Sequence, residues 1–494
     1  MSALHLTPMR GYLVALIAGG LTTLTASPFG LWWLGPVAIA LMYWGILDLT
    51  PRQAALRGWA YGVGLFGSGT SWVYVSIHDY GYTGVPLAVF LTVLFVATLA
   101  LFYAATLWLY RLIAGARFAA LSFAGAWVLG EVLRTYAFTG FPWLLLGNAH
   151  VDSPLASWAP IGGVYALSLI TALTGTLGVE LLRRQWLAAL PIAALWAAPL
   201  LLPHAWTTAD ETNHRVALLQ GNLPQLMKWT AEGQRTAANT YTQLTRAQGE
   251  DIDLIVWPET ALPMLEEDAI PVLERLQSTL PPDIALLTGI VQRDTEGRYF
   301  NSVIGAGDVE GVYRKEHLVP FGEYLPLESL LRGIIAFFDL PMSSFTAGSS
   351  DPEPIQAAGL TIGSAICYEI VYPELVAKRA RDADILLTVS NDTWFGESIG
   401  PLQHLQMARL RALENGRYVL RATNNGVTAI IDPQGNVTER LPQFETASLQ
   451  GEVTAMQGHT PFTRTGSWPT WALACLLLLT GLRWFQRTPA GHHE

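Results

Sequence analysis

Three ionisable residues of this chain stand in comparable local settings: Glu259 in LIVWPET, Lys315 in VYRKEHL and Cys367 in SAICYE. Each falls at or just past the end of an expected strand, where sites in α/β sheets assemble. Together they suit one kind of chemistry. A thiol is weakly ionised at neutral pH and becomes a nucleophile when a nearby base assists it, a task for Glu259. Lys315 can lower the thiol pKa and stabilise the oxyanion formed when a carbonyl is attacked. Each residue also has a plainer reading. A free cysteine is most often a small buried hydrophobe, a lone glutamate a solvated or capping group, and a lone lysine a surface charge.

The elements around them read as an α/β layered domain. Short apolar strands alternate with helical stretches: RVALLQGNL, a helix over Ala231 to Arg246, DIDLIVWPE, a helix over Ala269 to Ser278, then IALLTGIV. The hairpin FNSVIGAGDVEGVYRKEHL follows, with its turn at Gly307 to Gly311. Next come LTIGSAICYE, a helix over Pro373 to Ala380, ILLTVSND, a helix over Leu402 to Asn415 and the hairpin YVLRATNNGVTAIIDPQG. Strands buried on both faces need helices outside them.

A different half precedes this domain. Hydrophobic residues make up 51% of the chain and charged residues 14%, yet positions 1–204 hold eight arginines, five acids and no lysine. Apolar segments of spanning length run about Gly11 to Phe29, Leu31 to Leu49, Ala54 to Ile77, Pro86 to Ile113, Phe118 to Arg134, Pro160 to Leu182 and Trp186 to His204, with an eighth at Trp468 to Phe485. These predict a polytopic α-helical membrane domain of eight spans, seven within 1–204 and the last at 468–487. Nine of the ten flanking arginines fall on one set of connections, Arg134 alone on the other. Basic residues are retained in the cytoplasm, so both termini, including the tail 488–494, are expected there. The first span reads as a retained anchor. The domain at 205–467 is then extracytoplasmic. Glu131 and Arg134, three apart on one helix, are expected to pair near its outer end.

The extramembrane segment carries 19 Lys or Arg against 33 Asp or Glu, a poor surface for nucleic acid. Its one cysteine is Cys367, while Cys475 sits in the last span, so a structural disulfide within the chain is not expected. His317, His404 and His459 lack metal-ligand spacing, and no metal or cofactor is invoked.

The trio Glu259, Lys315 and Cys367 resembles the Glu-Lys-Cys triad of the nitrilase superfamily, and almost the whole chain resembles the apolipoprotein N-acyltransferase family. The resemblance is carried by QGNLPQLMKW, VWPETALP, RKEHLVPFGEYLP, FFDLPMSSFTAG, CYEIVYPE, SNDTWFG, HLQMARLRALENGRYVLRATNNG and TGFPWLLLGN. It implies a periplasmic nitrilase-like αββα sandwich on a bacterial inner-membrane protein. It also implies transfer of a fatty acyl chain from a membrane phospholipid to the α-amino group of a lipoprotein's diacylglyceryl-modified N-terminal cysteine, in ping-pong fashion through a thioester on Cys367. Glu259 would be general base and then acid, and Lys315 would stabilise the tetrahedral intermediates. By the same resemblance Glu323 and Glu369 are auxiliary acids, and Trp229, Tyr368, Asn391 and Trp394 lie near the substrate. In LLRGIIAFFDLPMSSF, the apolar Ile334, Ile335, Phe337 and Phe338 suggest a lid between hinges at Gly333 and Gly348. Two other functions remain open at this point: a membrane-anchored amidase that gives the acyl group to water, and a transporter or receptor with an inactive nitrilase-like domain.

Overall fold

A computed structural model describes residues 7–115, 117–326 and 344–482. The chain divides into two compact units, one of residues 1–71, 89–204 and 465–494, the other of residues 72–88 and 205–464.

The first unit is helical. A described helix falls on each expected apolar segment: Pro8–Thr23, Leu34–Ile46, Pro51–Gly69, Val85–Ile113, Ala119–Tyr136, Ala159–Leu182, Ala189–Ala197 and Trp468–Thr480. Val85–Ile113 and the helical run Ala156–Leu182 are long and apolar enough to cross a membrane; Leu34–Ile46, Trp186–Leu200 and Trp468–Thr480 are apolar but shorter. The third expected segment divides. Its helix stops at Gly69, where Thr70 turns its hydroxyl back onto the Phe66 carbonyl at 2.8 Å. The short helices Trp72–Val75 and Ser76–Tyr80 that follow belong to the second unit. Glu131 and Arg134 are both buried, and their hydrogen bonds hold the TGFPWLLLGN loop. Glu131 Oε1 accepts from the Leu146 N–H at 2.8 Å, and Arg134 Nη1 donates to the Phe141 and Trp143 carbonyls at 2.6 Å each.

The second unit is a sandwich of two sheets. In chain order its strands are β1 (Thr208–Gln220), β2 (Leu254–Val256), β3 (Ala285–Arg293), β4 (Tyr299–Ala306), β5 (Val309–Glu310), β6 (Tyr313–Arg314), β7 (Ile355–Ala357), β8 (Leu360–Ile366), β9 (Ile385–Ser390), β10 (Val419–Thr423), β11 (Ala429–Ile431), β12 (Val437–Arg440) and β13 (Ala447–Gln457). One sheet has the order β13-β1-β2-β3-β4-β6, the other β12-β11-β10-β9-β8-β7-β5. The central strands β1-β2-β3 and β8-β9-β10 are parallel, and the flanking pairs are antiparallel.

Alternation along these strands builds two apolar layers. Val216, Leu218, Val256 and Leu287 of the first sheet face Ile362, Ile366, Leu387 and Leu420 of the second. The opposite face of the first sheet, with Ala217, Ile255 and Leu286, takes Ala237 and Tyr241 of helix α1 (Ala231–Arg246) and Leu273 and Leu276 of helix α2 (Glu266–Gln277). Helices α3 (Pro373–Ala380) and α4 (Gly400–Asn415) pack on the second sheet, giving the order αββα. The expected hairpin forms between β4 and β6, but Val309 and Glu310 leave it to pair with β7 in the other sheet. Gly307 and Gly311, at φ 79° and 94°, turn the chain out and back.

Candidate active site

Cys367 follows β8 directly and opens the 3₁₀ turn Cys367–Val371. Its φ of 54° is a left-handed value that a residue with a β-carbon adopts only when its surroundings impose it. Two contacts impose it here. The Ile366 N–H donates to Glu369 Oε2 at 2.6 Å, and His404 Nε2 lies 3.1 Å from the Cys367 carbonyl oxygen. The side chain is half-buried, and the preceding residue, Ile366, pairs with Val389 of the parallel strand β9. Burial pushes the thiol pKa up, Glu259 adds to the rise, and Lys315 opposes it without cancelling it. At neutral pH the sulfur therefore keeps its proton until a base removes it.

Glu259 is positioned by the turn after β2. Gly289 of β3 packs so closely beneath this turn that a β-carbon there would overlap Pro258, Glu259 and Thr260 backbone atoms. Glu259 is buried, and both carboxylate oxygens are fixed: Oε1 accepts from Asn301 Nδ2 at 2.7 Å, Oε2 from the Asn391 N–H at 2.8 Å. Lys315 Nζ lies 3.8 Å from Oε1.

Lys315 follows β6, its N–H bound to the Asn301 carbonyl at 2.8 Å. The buried ammonium meets Glu323 at 2.9 Å. Glu323 is itself held by Asn301 Nδ2 and the Val319 N–H, each at 2.9 Å. Burial pulls the lysine pKa down, but Glu323 and then Glu259 outweigh that and raise it, so Lys315 stays a cation. Glu369 has another partnership. It accepts from Tyr313 Oη at 2.8 Å, from the Glu316 N–H at 2.7 Å and from the His317 N–H at 2.9 Å, tying the turn after β6 to the turn after β8. Burial pushes its carboxyl up to about 7, against the pull of Lys315 and of these donors.

Around the triad, Asn391 donates its backbone N–H to Glu259 and its side-chain amide to Gln225 Oε1 at 2.7 Å. Trp394 is held by Ser76 Oγ, which donates to its carbonyl at 2.7 Å, and its ring meets Tyr80 at 5.9 Å. Tyr368 is buried against Tyr372 and His317, with ring centres 5.3 and 6.3 Å away. Trp229 is exposed in the loop before α1. Ile334, Ile335, Phe337 and Phe338 lie outside the described residues, as does Gly333. Gly348, the other expected hinge, is anchored by its N–H to the Lys315 carbonyl at 2.7 Å.

Two groups at the site escaped the reading of the sequence. Asn301 is one, bridging Glu259 and Glu323 with a single amide nitrogen. The other is a buried cluster behind Cys367. Asp392 Oδ1 accepts from Ser390 Oγ at 2.7 Å and lies 3.0 Å from His404 Nδ1; Arg421 Nη2 donates to Asp392 Oδ2 at 2.6 Å and lies 3.1 Å from His404 Nδ1. Burial, and after it Arg421, lowers the His404 pKa. Nε2 faces an acceptor, the Cys367 carbonyl, and carries a proton; Nδ1 lies between an acceptor, Asp392, and a donor, Arg421, and engages one of them in each protonation state. Asn301 stood within the quoted hairpin and His404 within the quoted α4 segment; no local spacing set either apart. Among the described residues no cluster of His, Cys, Asp and Glu is arranged to hold a metal.

An αββα sandwich with a glutamate, a lysine and a cysteine just past strands β2, β6 and β8 fits a carbon-nitrogen hydrolase fold, and the family model described as "Carbon-nitrogen hydrolase" matches residues 215–459. A second, described as "Apolipoprotein N-acyltransferase N-terminal domain", matches residues 18–177. The apolipoprotein N-acyltransferase of Azotobacter vinelandii is 49% identical over 95% of this chain and 94% of its own length. Those of Pseudomonas syringae pv. tomato and Pseudomonas paraeruginosa are each 48% identical, over 95% and 96% of this chain and 95% of their own. Among solved structures, an amidase of the nitrilase superfamily from Nesterenkonia AN1 is 20% identical over 50% of this chain and 93% of its own, with a TM-score of 0.38. The chain belongs to the apolipoprotein N-acyltransferase family.

Proposed function

We propose that this chain transfers a fatty acyl group from a membrane phospholipid to the α-amino group of a diacylglyceryl-modified N-terminal cysteine on apolipoproteins, through a thioester on Cys367. Glu259 takes the thiol proton as the sulfur attacks the ester carbonyl. The tetrahedral oxyanion is stabilised by Lys315, and collapse expels the lysophospholipid alkoxide, which recovers the proton from Glu259. In the second half, the acceptor amine attacks the thioester, gives a proton to Glu259 and leaves as an amide, and the thiol is restored. His404 orients Cys367 through its carbonyl, while Glu323 and Asn301 hold the cation and the base in register.

The observation that carries this reading is the Glu259 carboxylate, fixed by two donors and 3.8 Å from Lys315, with both charges acting on the Cys367 thiol, in a family member matched over nearly its full length. The helical half is read as eight spans in a bacterial inner membrane, with both termini cytoplasmic and the unit around Cys367 periplasmic. The arginine distribution supports that orientation.

The test is transfer from phosphatidylethanolamine to a synthetic diacylglyceryl-cysteinyl peptide by purified full-length protein. Cys367→Ala and Glu259→Gln should abolish it, and Lys315→Met should lose on the order of a hundredfold or more. Peptide that is acylated at normal rate by Cys367→Ala would refute the proposal.

A further inference from the structure

One cation near Glu259 has no part in the reaction so far. The loop 224–230 turns its side chains against the usual order: Leu226, Met227 and Trp229 are 50%, 48% and 39% exposed, while Lys228 among them is 3% exposed. Lysine is rarely buried unless it is paired. Among the described residues the Lys228 ammonium has no hydrogen bond or ion pair, and the charge acting on it is that of Glu259. Burial pulls its pKa down to about 8 against that attraction. The inward turn is built into the loop. Gln225 is tied to Asn391, whose N–H holds Glu259; Thr230 donates to the Met227 carbonyl at 2.8 Å and caps α1 through the Gly233 N–H at 3.0 Å.

An unpaired ammonium on a buried side chain, in the field of a carboxylate whose oxygens are already engaged by Asn301 and Asn391, is suited to an anion brought by the substrate. We infer that Lys228 binds the phosphodiester of the acyl donor, a contact that rests on the phospholipid-dependent reading above. In a glycerophospholipid the phosphodiester and the acyl esters share one glycerol, so the anion and the attacked carbonyl lie only a few bonds apart. The acceptor, a diacylglyceryl thioether, carries no phosphate. Lys228 thus favours donor over acceptor in a site that both use in turn, and the exposed Leu226, Met227 and Trp229 give the same loop an apolar rim for lipid chains.

The experiment follows acylation of Cys367 by intact mass, using full-length protein in detergent micelles, with phosphatidylethanolamine or with phosphorus-free diacylglycerol as donor. Wild type should prefer the phosphatidyl donor. Lys228→Met should lose about tenfold or more of that donor's acylation rate at subsaturating concentration, leave the diacylglycerol rate unchanged, and pass preformed thioester to the acceptor peptide normally. Lys228→Arg should keep the preference. Equal use of both donors by wild type, or an equal loss with both in Lys228→Met and Lys228→Arg, would overturn the inference. Acylation of wild type by neither donor would instead overturn the functional reading beneath it.

Discussion

Cys367 carries a protonated thiol, and in the proposed function it depends on Glu259 to become a nucleophile. Its environment raises the thiol pKa, chiefly by burial, and Lys315 limits the rise. Alkylating reagents attack the thiolate, so the rate of Cys367 modification by iodoacetamide should still climb as pH passes 9.0, the ordinary thiol value. Lys315→Met removes the opposing cation and should slow alkylation across the neutral range. A plateau in the wild-type profile below about pH 8 would mean an activated thiolate and would contradict this picture. The three residues were legible in the sequence because each ends a strand, and strand ends can be read locally. Lys228 was not: a lysine between Met227 and Trp229 reads as the solvated member of its loop, and only the folded chain turns it inward.

At the scale of elements, the site depends on β8 delivering Cys367 into a left-handed turn and on α4 reaching that turn from behind. His404 is the contact point, with Asp392 and Arg421 holding its ring. Replacing His404 with leucine removes the donor to the Cys367 carbonyl and one polar partner from each member of the buried Asp392–Arg421 pair, so thermal stability should fall by about 1–3 kcal/mol. Turnover of Cys367 acylation should fall with little change in donor KM, and His404→Gln, which keeps an N–H donor, should recover part of it. Unchanged turnover in the leucine variant would make the cluster purely structural. Helices α1 and α3 have the bounds that periodicity and capping residues predict, and α2 and α4 begin two or three residues earlier, where acidic residues and Pro401 favour a first turn. Strand β13 was missed because ASLQGEVTAMQ has weak alternation, and its identity comes from ten paired positions along β1. The Asp392–His404–Arg421 cluster draws on three elements 12 to 29 residues apart, a spacing without local signature.

At the scale of the whole molecule, charge distribution marked the division near His204 and the return to helix at Trp468, because a chain half without lysine differs so plainly from one with ordinary polarity. It did not mark the segment 72–88, whose apolar residues look like the end of a span but fold with the second unit, where Ser76 and Tyr80 hold Trp394. The proposal joins both halves in one function: a lipid supply, and a thiol that stores an acyl chain between two substrates. Intact-protein mass spectrometry of the full-length chain, incubated first with phospholipid and then with diacylglyceryl-cysteinyl peptide, tests it most directly. The expected result is one fatty acyl adduct on Cys367, cleaved by hydroxylamine as a thioester is, absent from Cys367→Ala and Glu259→Gln, and chased onto the peptide's amino group. N-acylated peptide formed with no adduct at Cys367, or formed by Cys367→Ala, would contradict it.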